Sequence, residues 1–86
     1  MITVKRFTAD WCGPCKALAP VIKGLEAQYP AVVFETVNID TNPEIANEYS
    51  VRSIPFVAII KDGRVVNELL GLNSKQMYIE AIEKAL

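Results

Sequence analysis

Two runs rich in β-branched residues, Ile2 to Phe7 and Val32 to Ile39, bracket a stretch in which apolar residues recur at every third or fourth position. That arrangement restricts the fold more than any other feature of the chain. From about Gly13 to Tyr29, the side chains of Leu18, Val21, Ile22, Leu25 and Tyr29 share one face of a helix. Strand, helix and strand in succession make a βαβ unit, so its two strands should run parallel with a right-handed crossover. Pro14 suits the first turn of the helix, where no backbone donor is needed. Pro20 lies inside the pattern, removes one backbone hydrogen bond and should kink the helix without ending it, because the stripe resumes at Val21. Tyr29-Pro30 is the stop signal.

Beyond the second strand, Asp40-Thr41-Asn42-Pro43 offers cap residues with proline at the first helical position, opening a short helix to about Tyr49. Ser50 to Ser53 reads as a loop. Ile54 to Ile60 is the most apolar stretch and reads as a buried strand with Pro55 at its start, since proline cannot donate to a ladder. Lys61-Asp62-Gly63-Arg64 is a turn signal, and Val65 to Leu70 returns as the antiparallel partner. After Gly71, Asn73 or Ser74 caps a last helix whose apolar face is Tyr78, Ile82, Ala85 and Leu86. The order is βαβ, a linking helix, then ββα, an α/β chain. At 86 residues and 51% apolar, residues 1–86 fit one domain with one modest core.

Both cysteines of the chain stand in Trp11-Cys12-Gly13-Pro14-Cys15, where the first strand pattern gives way to the helix pattern. Two thiols at this spacing can close a small disulfide and reopen it. As a permanent staple it would be weakly placed, because closing a loop of four residues stabilises by only about 2 kcal/mol. With no histidine and two cysteines, the chain cannot supply an ordinary four-ligand zinc site by itself. Nine basic and ten acidic residues, mixed along the sequence, leave a net charge of −1 and no basic footprint for nucleic acid or an anionic membrane. Ile54 to Ile60 is far too short to span a bilayer, and Met1 to Phe7 shows no secretory signal. The expectation is a soluble cytoplasmic protein, in which a cysteine pair serves catalysis rather than permanent cross-linking.

The element order with Cys-x-x-Cys at the first strand-to-helix junction resembles the thioredoxin superfamily, and Trp11-Cys12-Gly13-Pro14-Cys15 matches the thioredoxin motif at every position. The resemblance continues through Asn38-Ile39-Asp40, Asn42-Pro43, Tyr49, Val51-Arg52, Ile54-Pro55, Lys61-Asp62-Gly63 and Gly71. It implies a thioredoxin fold: a four-stranded mixed sheet in the order 2-1-3-4, strand 4 antiparallel, flanked by three helices. The strand and helix that open longer members would be lacking. It also implies a thiol–disulfide oxidoreductase that reduces protein disulfides. Cys12, at the helix N-terminus, would be the nucleophile and Cys15 the resolving thiol. Trp11, Gly13 and Pro14 would form the supporting loop, with Gly-Pro favouring a reducing protein. Pro55 would be cis, and Trp11, Ile54, Pro55 and Gly71 would outline an apolar groove that pairs with an extended substrate.

The same resemblance implies a monomer that binds no metal or cofactor and draws electrons from NADPH only indirectly, through thioredoxin reductase. Disulfide-containing proteins such as ribonucleotide reductase would be its targets. Two other readings stand beside this one: a glutaredoxin-like carrier recharged by glutathione, and a non-catalytic module that binds partners in the Ile54-Pro55 groove. Two positions depart from the family. Arg6 stands six residues before the first cysteine, where a buried aspartate is usual, and Thr36 takes the place of its lysine partner. Such an arginine should bring its head group to an edge of the sheet; placed nearer the thiols, it would stabilise thiolate.

Overall fold

Alternation along the first strand sends Ile2 and Val4 to one side of the sheet and Phe7 to the other. A computed structural model describes Met1–Leu86 as β1 (Ile2–Thr8), α1 (Gly13–Gln28), β2 (Val33–Asn38), α2 (Pro43–Glu48), β3 (Phe56–Lys61), β4 (Arg64–Leu70) and α3 (Lys75–Ala85). The strands form one sheet in the order β2-β1-β3-β4. β1 and β2 are parallel, with Arg6 opposite Thr36 and Phe7 opposite Val37. β3 is antiparallel to β1, and β4 is antiparallel to β3. The fold class, strand order and three helices agree with the sequence expectation.

On one face, Ile2 and Val4 pack with Leu18, Ile22 and Leu25 of α1 and with Tyr78, Ala81 and Ile82 of α3. On the other, Phe7, Val37, Phe56, Ala58 and Ile60 are covered by Ile45, Ala46 and Tyr49. The Phe7 ring lies 5.4 Å from Tyr49 and 5.6 Å from Phe56 between centroids. β3 contributes to both layers, and burial on both faces accounts for its unbroken apolar run.

Several local expectations are refined. α1 continues through Pro20 to Gln28. Pro55 lies one residue ahead of β3, so the ladder begins at Phe56, which has an N–H to donate. Asn42 opens α2 without a side-chain cap. Ser74, not Asn73, caps α3, its hydroxyl accepting the Met77 N–H at 3.4 Å. The buried face of α3 is Tyr78, Ala81, Ile82 and Ala85. Leu86, placed on that face by its spacing, is 63% exposed because the helix ends before it. At the hairpin, Asp62 and Gly63 take φ of 52° and 83°, the paired left-handed geometry that suits a two-residue turn.

Candidate active site

The β1 register places Phe7 against Phe56, so the loop leaving β1 and the segment entering β3 meet at the same end of the sheet. The Ile39 N–H binds the Thr8 carbonyl at 2.9 Å, which ties the residue after β2 to the same end. After Thr8, Ala9 is buried and its carbonyl accepts the Cys12 N–H at 3.1 Å, turning the chain into α1. Cys12 is the N-cap of that helix, with extended backbone (φ −89°, ψ 106°) and Gly13-Pro14 as the first helical residues. Its Sγ accepts the Cys15 N–H at 3.2 Å. An amide donor and the positive end of the helix therefore converge on this sulfur, the environment that favours a thiolate.

Cys12 and Cys15 are joined in a disulfide. They are 4% and 2% exposed and form a small cluster with Ala9, flanked by Ile39 and Ile54. Gly13 and Pro14 are exposed above them. Trp11 is 67% exposed, and its indole N–H donates to Asp40 Oδ2 at 2.9 Å. The Ile54–Pro55 peptide bond is cis and Pro55 is fully buried. The Pro55 carbonyl accepts the Gly71 N–H at 2.8 Å. Gly71 has a φ of 75°, a left-handed conformation in which a side chain is strained. Its carbonyl accepts the Tyr78 hydroxyl at 3.4 Å. Trp11 and Ile54 line a cavity of about 310 Å³ together with Ile39, Val51, Arg52 and Ser53. A larger recess of about 740 Å³ between β4 and α3 is lined by no residue of the cysteine loop.

Three polar residues around the loop escaped the sequence reading as contributors to the site. Asn38 Nδ2 donates to Asp10 at 3.3 Å, while Asn38 Oδ1 accepts the Asp40 N–H at 2.9 Å. Asp40 in turn holds Trp11. The signal was Asn-x-Asp directly after a β-branched strand, where an Asx turn reverses the chain. Arg6 reaches the sheet edge as expected, its Nη2 meeting the exposed Thr36 of the edge strand β2. It is half-buried beneath α1, with Nη1 at 3.5 Å from the Cys15 carbonyl oxygen and Nη2 at 3.4 Å from Thr36 Oγ1. Its Nε is buried without a partner. Burial lowers the Arg6 pKa, and the charge of Glu26 works against that shift. No group of three His, Cys, Asp or Glu side chains is arranged to hold a metal ion, and no helix is long and apolar enough to cross a membrane.

A disulfide at the N-cap of the crossover helix, on this four-stranded sheet, defines a thiol–disulfide oxidoreductase. Comparison with known proteins gives the family. The family model described as Thioredoxin matches residues 1–84. The thioredoxin of Chlamydia trachomatis serovar D is 46% identical over 78 residues, covering 91% of this chain and 76% of the relative. The X-ray structure of Fasciola hepatica thioredoxin superposes with a TM-score of 0.93 at 38% identity, covering 99% of this chain and 81% of that one. Oxidised mitochondrial thioredoxin 3 from Saccharomyces cerevisiae gives 0.91 at 34% identity, covering 96% and 77%. The chain belongs to the thioredoxin family.

Proposed function

We infer that this thioredoxin-family oxidoreductase reduces protein disulfides with Cys12 as nucleophile and Cys15 as resolving thiol. The hydrogen bond from the Cys15 N–H to Cys12 Sγ carries this reading, because it singles out Cys12 as the sulfur whose negative charge the helix terminus stabilises. In the forward reaction the Cys12 thiolate attacks one sulfur of the substrate disulfide, forming a mixed disulfide and expelling the first substrate thiolate. Cys15, as thiolate, then attacks Cys12 Sγ, expelling the second substrate thiolate and leaving Cys12–Cys15 oxidised. Two electrons pass to the substrate, and protons exchange with solvent. Trp11 and Ile54 line the docking cavity, which Gly71 and the buried Pro55 do not; Gly71 is tied to Pro55 by its backbone bond, and the groove is read as running from that cavity across them. An extended substrate segment lies across them by strand addition.

The partner that returns the enzyme to its dithiol form is a thioredoxin reductase drawing on NADPH, a reading supported by the thioredoxins among its relatives. The protein works as a cytoplasmic monomer. Insulin reduction provides the test. Turnover is expected with dithiothreitol and with NADPH plus thioredoxin reductase, but not with glutathione plus its own reductase. Preference for the glutathione system would overturn the assignment of the electron source. Cys12→Ser should abolish turnover, and Cys15→Ser should accumulate substrate as mixed disulfides. A Cys15→Ser protein that traps nothing would reverse the two roles.

A further inference from the structure

Arg6 is the one charged side chain held beneath the cysteine loop, and nothing in the exchange reaction described above uses it. Three observations define its position. It projects from β1 to the side packed by α1, its Nη1 lies 3.5 Å from the carbonyl oxygen of Cys15, and its buried Nε has no partner. A guanidinium cannot shed its proton here, so it carries a full positive charge under the first turn of α1 in both redox states. The oxidised pair is neutral and gives that charge nothing to answer. Reduction changes this, because the dithiol can lose a proton to water and become a thiolate.

We propose that Arg6 is a positioning residue that, from its contact with the Cys15 backbone, stabilises the thiolate form of the reduced pair, making the Cys12–Cys15 disulfide easier to reduce. This rests on the Cys12/Cys15 exchange reading and names what regulates its redox poise. The balance is simple: disulfide plus two electrons and one proton gives one thiol and one thiolate, and the thiolate form is the one the cation favours. An opposite charge near an ionisable group shifts its titration by about one to three units, and because Arg6 meets the Cys15 backbone rather than a sulfur, the low end applies: roughly tenfold in the reduction equilibrium, or about 30 mV. It is absent at acid pH, where both thiols hold their protons, and complete where the thiolate dominates.

The surrounding ionisable groups do not supply a substitute. Asp10 and Asp40 are exposed at the loop and engaged with Asn38 and Trp11. On α1, Lys16 is exposed and the exposed Glu26 acts on Arg6 through its charge in both redox states, while Arg52 is exposed beside the cavity. From α3 the buried Tyr78 gives its hydroxyl to the Gly71 carbonyl. From β2, exposed Thr36 shares Arg6, while Glu35 pairs with Lys5. The nearby β3 residues Phe56, Val57 and Ala58 carry no charge.

The test equilibrates the full chain with dithiothreitol from pH 5.5 to 9 and compares wild type with Arg6→Met, Arg6→Gln and Arg6→Lys. All proteins meet the same reference couple, so its own titration cancels in the ratio of equilibrium constants. For wild type over either neutral variant, that ratio should be near one at pH 5.5 and rise to roughly tenfold at pH 9, with Arg6→Lys following wild type. A ratio that does not change with pH, or an Arg6→Lys protein that follows the neutral variants, would overturn the role of Arg6 alone. A wild-type protein that does not equilibrate at all would sink the exchange reading and this inference with it.

Discussion

Reducing the Cys12–Cys15 bond should weaken the fold by about 2 kcal/mol at pH 5.5 and by less at pH 8.5. The first figure follows from the loop that the disulfide closes, four residues including both cysteines, which removes little entropy from the unfolded chain. Against a total stability of roughly 4–13 kcal/mol for a chain of this length, that is a measurable share. It corresponds to a fall in Tm of about 8–16 °C. By the thermodynamic cycle the same 2 kcal/mol makes the native couple about 40 mV more reducing than the unfolded one.

The pH dependence comes from the opposing effect at the helix terminus. In the folded reduced protein, the Cys15 N–H and the end of α1 should favour a thiolate at Cys12 over the thiol, a preference the unfolded chain lacks. A depressed folded pKa contributes stability that is complete above the unfolded pKa and is lost as pH falls through the folded one. Only the reduced protein has this contribution, so the gap between the two forms must narrow as pH rises. Urea denaturation followed by far-ultraviolet circular dichroism, with and without a phosphine reductant at both pH values, reads the gap directly. Equal stabilities at pH 5.5 would refute the loop-entropy step. A gap that widens with pH would refute the thiolate step.

Two further substitutions probe the frame around the site. Phe7→Ala removes a ring with no exposed surface that touches both Tyr49 and Phe56, and should lower stability by about 3–5 kcal/mol in chemical denaturation. Gly71→Ala meets no atom within 4 Å of the new methyl group, so only the backbone at φ 75° resists it. A loss of about 1–2 kcal/mol is expected, measured the same way.

Periodicity and turn chemistry were enough to place every strand and helix in order: the unbroken apolar run marks β3 and stripes at helical spacing mark α1 and α3, while β4, exposed except at Leu69, is placed by the turn signal before it. The misassignments fall where a pattern outruns the packing that would use it. Leu86 has the right spacing for the α3 face, but the helix has ended and no partner surface remains. Within the site, Cys12 and Cys15 could be read directly, since their chemistry lies in residue type and spacing. Pro55 and Gly71 were legible through the resemblance, but the bond that joins them is a backbone contact between segments distant in sequence, and side-chain patterns do not encode it. The Asn38-Asp40-Trp11 support is hidden for the same reason, as its geometry exists only once β2 lies beside β1.

These backbone ties also determine which features of the loop are open to tuning. Cys12 N–H to Ala9, Ile39 N–H to Thr8 and Gly71 N–H to Pro55 hold the three converging segments without requiring any particular side chain between the cysteines. Gly13 illustrates the point: it has no positive φ, and a methyl group added there would contact nothing within 4 Å. Folding therefore places no demand on glycine at that position, and its role has to be sought in how the exposed dipeptide presents the sulfurs to a substrate. Arg6 lies on the opposite side of the pair, under the helix rather than above it. Approach to the disulfide and the charge state of its reduced form are thus governed from two sides, by residues that meet only through Cys15, so a double substitution should show coupling rather than simple additivity.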